Sequence, residues 1–166
     1  MSAGSVVLEV PDLATDSIRL RPWRVDDAAS LSRAWHDPAV ISGSTPPPDR
    51  TVEVAIRWID GCDERRRAGV AFDLVIAAAD DDRVLGEVGF SRLDHDRRAA
   101  LMGWWVHDEA RRAGVATMAV SLLAEWALAS TWIDRILAEI GADNPTSERV
   151  ASRAGFGCVA PGIWSR

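Results

Sequence analysis

At 166 residues, with 48% apolar and 27% charged side chains, the chain is long enough to bury one sizeable core and too apolar to stay disordered. Its formal charge of −6 disfavours nucleic acid as a partner and suits a basic peptide or an amine. No apolar run approaches the ~18 residues of a membrane span, and the start, Met1-Ser2-Ala3-Gly4-Ser5, lacks a basic-then-apolar secretion signal; the expectation is a cytoplasmic protein with no membrane partner.

In chain order, Ile18-Arg19-Leu20-Arg21-Pro22-Trp23 alternates like a short strand ended by proline. Asp26 and Asp27 then open a helix to about Trp35. Residues 37–50, with Pro38, Pro46, Pro47 and Pro48, predict a loop. Thr51 to about Ala68 is amphipathic, with Val52, Ala55, Ile56, Ile59 and Cys62 on one face. Three antiparallel strands follow, at 70–78, 83–93 and 98–106, joined by turns at Asp80-Asp81-Asp82 and Asp94-His95-Asp96-Arg97. The segment 113–130 is apolar nearly all round and predicts a central helix. A strand at 133–140, a helix at 144–154 with Pro145 at its first position and Gly155 as its stop, and a last strand from Gly157 to Trp164 complete the order. Residues 1–16 are read as a leader and 17–166 as one α+β domain, a mixed, mostly antiparallel sheet flanked by helices.

The most informative stretch is Trp104-Trp105-Val106-His107-Asp108-Glu109-Ala110-Arg111-Arg112-Ala113-Gly114-Val115-Ala116. An apolar strand runs through an acidic turn into two arginines and a small-residue step that opens a long helix. Unpaired backbone N–H groups and the positive end of the helix dipole make such a start a seat for a pyrophosphate. Gly114 and Ala116 admit a phosphate to the backbone, and Arg111 and Arg112 add charge and forked donors. Downstream, Asn144, the chain's only asparagine, opens the next helix and is also a good cap. Cys62 and Cys158 stand far apart and outside any CxxC pattern, so neither a disulfide nor a metal site is expected.

These residues resemble the GNAT superfamily of acetyl-CoA-dependent N-acetyltransferases, and within it the branch that acetylates N-termini of ribosomal proteins, including the alanine acetyltransferases. Leu20-Arg21-Pro22-Trp23 with Asp26-Asp27 is similar to that branch's opening. Arg111-Arg112-Ala113-Gly114-Val115-Ala116 matches its cofactor motif, (Q/R)-x-x-G-x-(G/A), and Asn144-Pro145-Thr146-Ser147, running on to Ala154-Gly155-Phe156, its closing motif. The resemblance implies acetyl-CoA as cosubstrate. It implies that the main chain of Trp104, Trp105 and Val106 pairs with pantetheine like an added strand, the two indoles packing in the core. It implies that backbone N–H groups from Arg112 through Ala113, Gly114, Val115 and Ala116 to Thr117 hold the pyrophosphate, with Asn144 and Ser147 near the thiol and the Val106 N–H as oxyanion donor.

Acetyl transfer needs a neutral amine, an oxyanion donor and a proton for the thiolate. Many relatives supply that proton from a tyrosine; this chain has none, Ala151 stands seven residues after Asn144, and Ser147 is the substitute. Glu87 and Glu139 compete as base, alternation placing Glu87 opposite Val84, Gly86 and Val88. The strand position some relatives use for the base is Ala100 here, and His36, His95 and His107 read as surface or loop residues. Because deprotonating a lysine at neutral pH costs about 3 kcal/mol more than deprotonating an α-amine, a site without a strong base suits a peptide N-terminus. Acetylation of a small amine (aminoglycoside, polyamine or amino-acid derivative) and a non-catalytic coenzyme A-binding module are the alternatives. Relatives continue past Gly155-Phe156 into a turn and a final strand. Ending at Arg166, the chain is expected to lack that strand, through truncation, an open edge or a strand supplied by a partner, and hence to form a homodimer or exchange strands.

Overall fold

The computed structural model describes residues 7–166. The start Met1–Ser5 and the first six positions of the leader lie outside the described residues. Ahead of the first long strands, Leu8 is buried in the core, and its carbonyl accepts a hydrogen bond from Arg66 Nη1 at 2.8 Å.

Eight strands form one sheet: β1 (Leu13–Ala14), β2 (Ile18–Arg21), β3 (Phe72–Ala78), β4 (Val84–Asp94), β5 (Ala99–Val106), β6 (Arg135–Glu139), β7 (Gly157–Ala160) and β8 (Ile163–Ser165). Their spatial order is β1-β2-β3-β4-β5-β6-β8-β7, and the β5–β6 pair is parallel while the others are antiparallel. Helices α1 (Ala28–Ala34), α2 (Pro38–Gly43), α3 (Val52–Asp60), α4 (Cys62–Arg67), α5 (Val115–Ser130) and α6 (Pro145–Arg153) complete the α+β fold.

Side-chain alternation on β3 divides the core. Phe72, Leu74 and Ile76 join Val120, Leu123 and Ala127 of α5, together with Ala151 of α6. Val75 and Ala77 join Leu31 and Ala34 of α1, Ala55 and Ile59 of α3, and a group of indoles. Trp23 meets Trp58 edge-on at 6.2 Å and lies tilted to Trp105 at 6.3 Å.

Two elements differ from the sequence expectation in the 37–68 region. Pro38, taken as a breaker, occupies the first turn of α2, where a missing N–H costs nothing, and Asp37 caps that helix through Ala39 N at 2.9 Å. The amphipathic run 51–68 breaks at Gly61 into α3 and α4; a Cβ there would lie 2.8 Å from the Arg65 guanidinium.

The sheet also has the final strand that the sequence was expected to lack. Pro161-Gly162 is a two-residue turn, with Gly162 at φ +73°, so the hairpin from Gly157 to Ser165 fits before the chain ends. Its second strand, β8, docks between β6 and β7, with Leu137 opposite Ser165 and Glu139 opposite Ile163. Arg166 itself exchanges backbone hydrogen bonds with Ile136, at 2.8 and 2.9 Å. The β6 edge is therefore paired within the chain, and the reason for expecting an exchanged strand falls away.

β5 and β6 pair over three rungs only, Ala99–Arg135, Ala100–Ile136 and Leu101–Leu137. Beyond them β6 follows β8 and β5 follows β4, and the two strands part. A bulge at Ser91, between the Phe90–Met102 and Arg92–Leu101 rungs, lies beside the point of divergence. Replacing Gly162 by valine puts a β-branched side chain at positive φ, with a Cβ 3.0 Å from the Ile140 carbonyl. Gly162→Val is expected to lower unfolding free energy by about 2 kcal/mol in denaturant titrations, with the hairpin amides exchanging first.

Candidate active site

The parting of β5 and β6 opens a groove of about 810 Å³. Its strand wall is legible from one hydrogen bond. His107 N–H donates to the Leu85 carbonyl at 2.8 Å, which makes Gly86–Val106 a non-hydrogen-bonded rung of the antiparallel pair. The N–H and C=O of Val106, and of Trp104 two residues back, therefore point away from β4 and toward the groove. Those of Trp105 point into the sheet, so only alternate residues of the expected Trp104–Val106 edge offer polar main chain to a ligand. The side chains part likewise: Trp105 is buried among the indoles, and Trp104 packs partly buried against the α5 side.

The floor is the start of α5. Gly114 stands at its N-cap with φ +77°, Arg112 is also at positive φ (65°), and no side chain caps the helix. Val115, Ala116 and Thr117, the first residues of the helix, thus bring N–H groups without intrahelical partners to the groove they line. Among the residues singled out by sequence, Trp104, Trp105, Val106, Arg111, Arg112, Gly114 to Thr117, Glu139, Asn144 and Ser147 all line this groove, and Ala113 and Glu87 do not.

Asn144 caps α6, its Oδ1 accepting from Ser147 N at 3.0 Å. Ala151, at the position of the missing tyrosine, is fully buried, so the groove wall there is made by Ser147 and Val150. Glu139 is exposed at the end of β6.

Sequence reading missed two parts of the groove. Helix α2 forms the facing wall through Ala39, Val40, Ser42 and Gly43, hidden because Pro38 read as a breaker. Arg149 and Arg153 of α6 also line it, and their i, i+4 spacing was the available signal. Arg111 lines the groove and is also bonded to two neighbouring elements. Its Nε donates to the Val106 carbonyl at 3.0 Å and its Nη2 to Asp37, so the guanidinium bridges strand end and α2. Burial opposes ionisation of Asp37, but the Ala39 N–H and Arg111 outweigh it and hold the carboxyl below its ordinary range.

Glu87 lies on the α1/α3 face, behind Trp105. Trp23 Nε1 donates to one carboxylate oxygen at 2.9 Å and Trp105 Nε1 to the other at 3.2 Å. Asp73 stands two rungs away on the same face, paired loosely with Arg65 at 3.4 Å, and that guanidinium lies 4.4 Å over the Trp58 ring. Burial first, then the charge of Asp73, push the Glu87 carboxyl up to about 8, against the two indole donors and Arg65. The alternation expected for Glu87 holds for Val88 but fails for Val84. A register shift between the Val84–Ala77 and Gly86–Ile76 rungs puts Val84 with Glu87 on the indole side.

The histidines divide. His36 is exposed and His95 sits in its turn, stacked on Trp132 at 4.0 Å. His107, expected at the surface or in a loop, lies in the loop just past β5 but is buried. Its Nε2 is 2.8 Å from Ser30 Oγ of α1, its ring meets Trp105 edge-on at 5.2 Å, and burial followed by Arg33 lowers its pKa. Cys62 and Cys158 are free thiols. Among the described residues no group of three or more His, Cys, Asp or Glu side chains comes together for a metal, and no helix is long and apolar enough to cross a membrane.

The chain matches the model of an acetyltransferase (GNAT) domain over residues 17–157. The uncharacterized N-acetyltransferase p20 of Bacillus licheniformis is 26% identical over 144 residues, covering 87% of this chain and 81% of its own. The structure of ribosomal-protein-S5-alanine acetyltransferase from Vibrio fischeri superposes with a TM-score of 0.81 at 16% identity, covering 95% of this chain and 96% of that one. That of the microcin C7 self immunity acetyltransferase MccE, in complex with acetyl-CoA and AMP, superposes with a TM-score of 0.77 at 21% identity, covering 92% and 93%. With the domain model spanning β2 to the start of β7, the chain belongs to the GNAT family of acetyltransferases.

Proposed function

We propose that the protein transfers the acetyl group of acetyl-CoA to the amino terminus of a peptide or protein. The observation that carries this reading is the unpaired edge of β5 at Trp104 and Val106, running toward the uncapped start of α5. Such a wall offers an amide-bearing ligand a strand-like partner and then a cluster of N–H donors for an anion. Coenzyme A carries these parts in that order, a pantetheine arm and a pyrophosphate. MccE, a structural neighbour, was solved with acetyl-CoA, and the Vibrio fischeri neighbour is named for a ribosomal protein, which supports the donor and the acceptor class respectively.

In this reading the main chain from Arg112 to Thr117 holds the pyrophosphate, with Asn144 and Ser147 across the groove near the sulfur. The Val106 N–H receives the carbonyl oxygen as it gains charge. Arg111 occupies the Val106 carbonyl, which leaves that residue's N–H as its groove-facing partner for the ligand. The amine attacks the thioester carbon, its proton passes to Glu87 through water, and the sulfur leaves with a proton from Ser147, whose hydroxyl is restored by a proton from solvent as Glu87 gives the amine's proton up to solvent. Glu87 suits the base role because a carboxyl held at about 8 matches an α-amine of pKa ~7.7–8. Glu139, exposed at the groove's far wall, is the competing base.

Acetyl-CoA at 100 times its Kd should stabilise the wild type by about 2.7 kcal/mol and raise Tm accordingly. Gly114→Val, which crowds the phosphate approach at φ +77°, should remove most of that shift. Free-thiol release should follow with unblocked peptides and stop when their N-termini are acetylated. Release with polyamines or aminoglycosides alone would overturn the acceptor class, and no Tm shift would overturn the donor.

At saturating peptide, kcat should rise with pH to a plateau above about 8, since the base works only when ionised. Glu87→Gln should lower kcat about 100-fold and abolish that limb. Asp73→Asn, by removing a like charge, should move the limb to lower pH. A limb that survives Glu87→Gln and disappears in Glu139→Gln would transfer the role to Glu139.

A further inference from the structure

Three polar contacts tie the first two helices to the turn that follows β5. Ser30 Oγ of α1 is 2.8 Å from His107 Nε2, Arg33 of α1 pairs with Glu109 at 2.7 Å, and Asp37, the cap of α2, pairs with Arg111. The last is built differently from the other two. One oxygen of Asp37 caps α2 through Ala39 N while the other receives Arg111 Nη2, and Arg111 Nε simultaneously holds the Val106 carbonyl. A single guanidinium thus fixes, on one side, the main chain whose N–H faces the groove and, on the other, the helix that forms the groove's opposite wall. The pair is half-buried, with side-chain exposures of 35% for Arg111 and 21% for Asp37, so solvent screens it only in part.

We propose that Asp37 and Arg111 form a clamp that positions α2 as the groove wall facing β5, and that Arg111 serves this clamp rather than binding phosphate. The inference rests on the acetyl-CoA reading of the groove but assigns its motif arginine a different partner. With Nε committed to the strand end, the guanidinium is held at the β5–α2 junction, while phosphate recognition is left to the main chain of Arg112 to Thr117 and to arginines at other positions. The fork is essential to the arrangement: two acceptors on different elements need two separated N–H donors, which a lysine cannot supply. Helix α2 is six residues long and too short to hold itself, so its placement depends on its cap and on Val40, which is buried.

Asp37→Asn is the informative variant, because asparagine caps a helix as well as aspartate does and so removes the charge while keeping the cap. The test measures coenzyme A affinity by calorimetry and amide hydrogen exchange at Val40 to Ser44 in wild type, Asp37→Asn, Arg111→Lys, Arg111→Gln and the Asp37→Asn/Arg111→Gln double variant. With the wild type's best peptide, KM and kcat are measured alongside. Expected are coenzyme A Kd values within about threefold of wild type in every variant, and α2 exchange about tenfold faster. The peptide KM should rise about five- to tenfold, with little change in kcat for Asp37→Asn, while the Arg111 variants, which also release the Val106 carbonyl, should lose kcat as well. A coenzyme A Kd raised tenfold or more by Arg111→Gln but not by Asp37→Asn would make Arg111 a phosphate ligand and overturn the clamp. Unchanged α2 exchange in Asp37→Asn would overturn it as well. Absence of coenzyme A binding by the wild type would sink the acetyl-CoA reading instead, and the exchange data would still decide the clamp.

Discussion

The parallel pairing of β5 with β6 stops after three rungs, and the site is built on that interruption. Parallel strands ordinarily continue side by side, and each rung satisfies backbone groups that would otherwise need water. Here both strands have competing partners: β4 continues along β5 to Val106, and β8 continues along β6 to Glu139. Divergence therefore leaves two facing edges unpaired, on β5 beyond Leu101 and on β6 beyond Leu137, and places the N-terminus of α5 and the N-terminus of α6 on either side of the same cleft. The hairpin β7–β8 is part of this device. Without β8 against it, β6 would have its free edge on the far side and less reason to leave β5.

What the groove presents follows from register. Because Gly86–Val106 is a non-hydrogen-bonded rung, alternate residues give their polar main chain to the cleft, and the intervening Trp105 gives its main chain to Glu87 and its indole to the opposite layer. A one-residue slip would exchange these assignments. The register is held by glycines that admit close approach: a Cβ on Gly86 would lie 2.2 Å from the Trp105 carbonyl oxygen, and one on Gly89 2.3 Å from that of Phe72. The strand that carries no groove residue thus determines which atoms of its neighbour face the ligand.

Local signals made much of this legible. Asn144-Pro145 and the step from Arg112 to Ala116 announce helix starts in a few residues, and the structure puts both on the groove. Features set by distant contacts were not legible. Pro38 reads as a breaker until Asp37 is seen to cap α2, and the burial of the loop residue His107 depends on Ser30 of α1, some eighty positions earlier. The face on which Val84 lies depends on a register shift against β3 that alternation within β4 cannot reveal. The last strand was missed for a simpler reason: Gly157 to Trp164 reads as one strand, whereas Pro161-Gly162 folds it into two.

Glu87 poses an energetic question that its neighbours answer. A carboxylate among indoles loses hydration, and two neutral N–H donors replace only part of it. The nearest guanidinium, Arg65, is committed elsewhere: it bridges Asp73, the Trp58 carbonyl and Cys62 Sγ while lying over the Trp58 ring. Two carboxylates thus share one cation, and ionising both leaves a net negative charge in a poorly hydrated corner of the sheet. The fold resolves the excess by keeping Glu87 protonated up to about 8 rather than by adding a second arginine. A fixed ion pair at Glu87 would have depressed its pKa and removed its capacity to take up a proton near neutrality. The indoles instead orient the carboxyl without neutralising it.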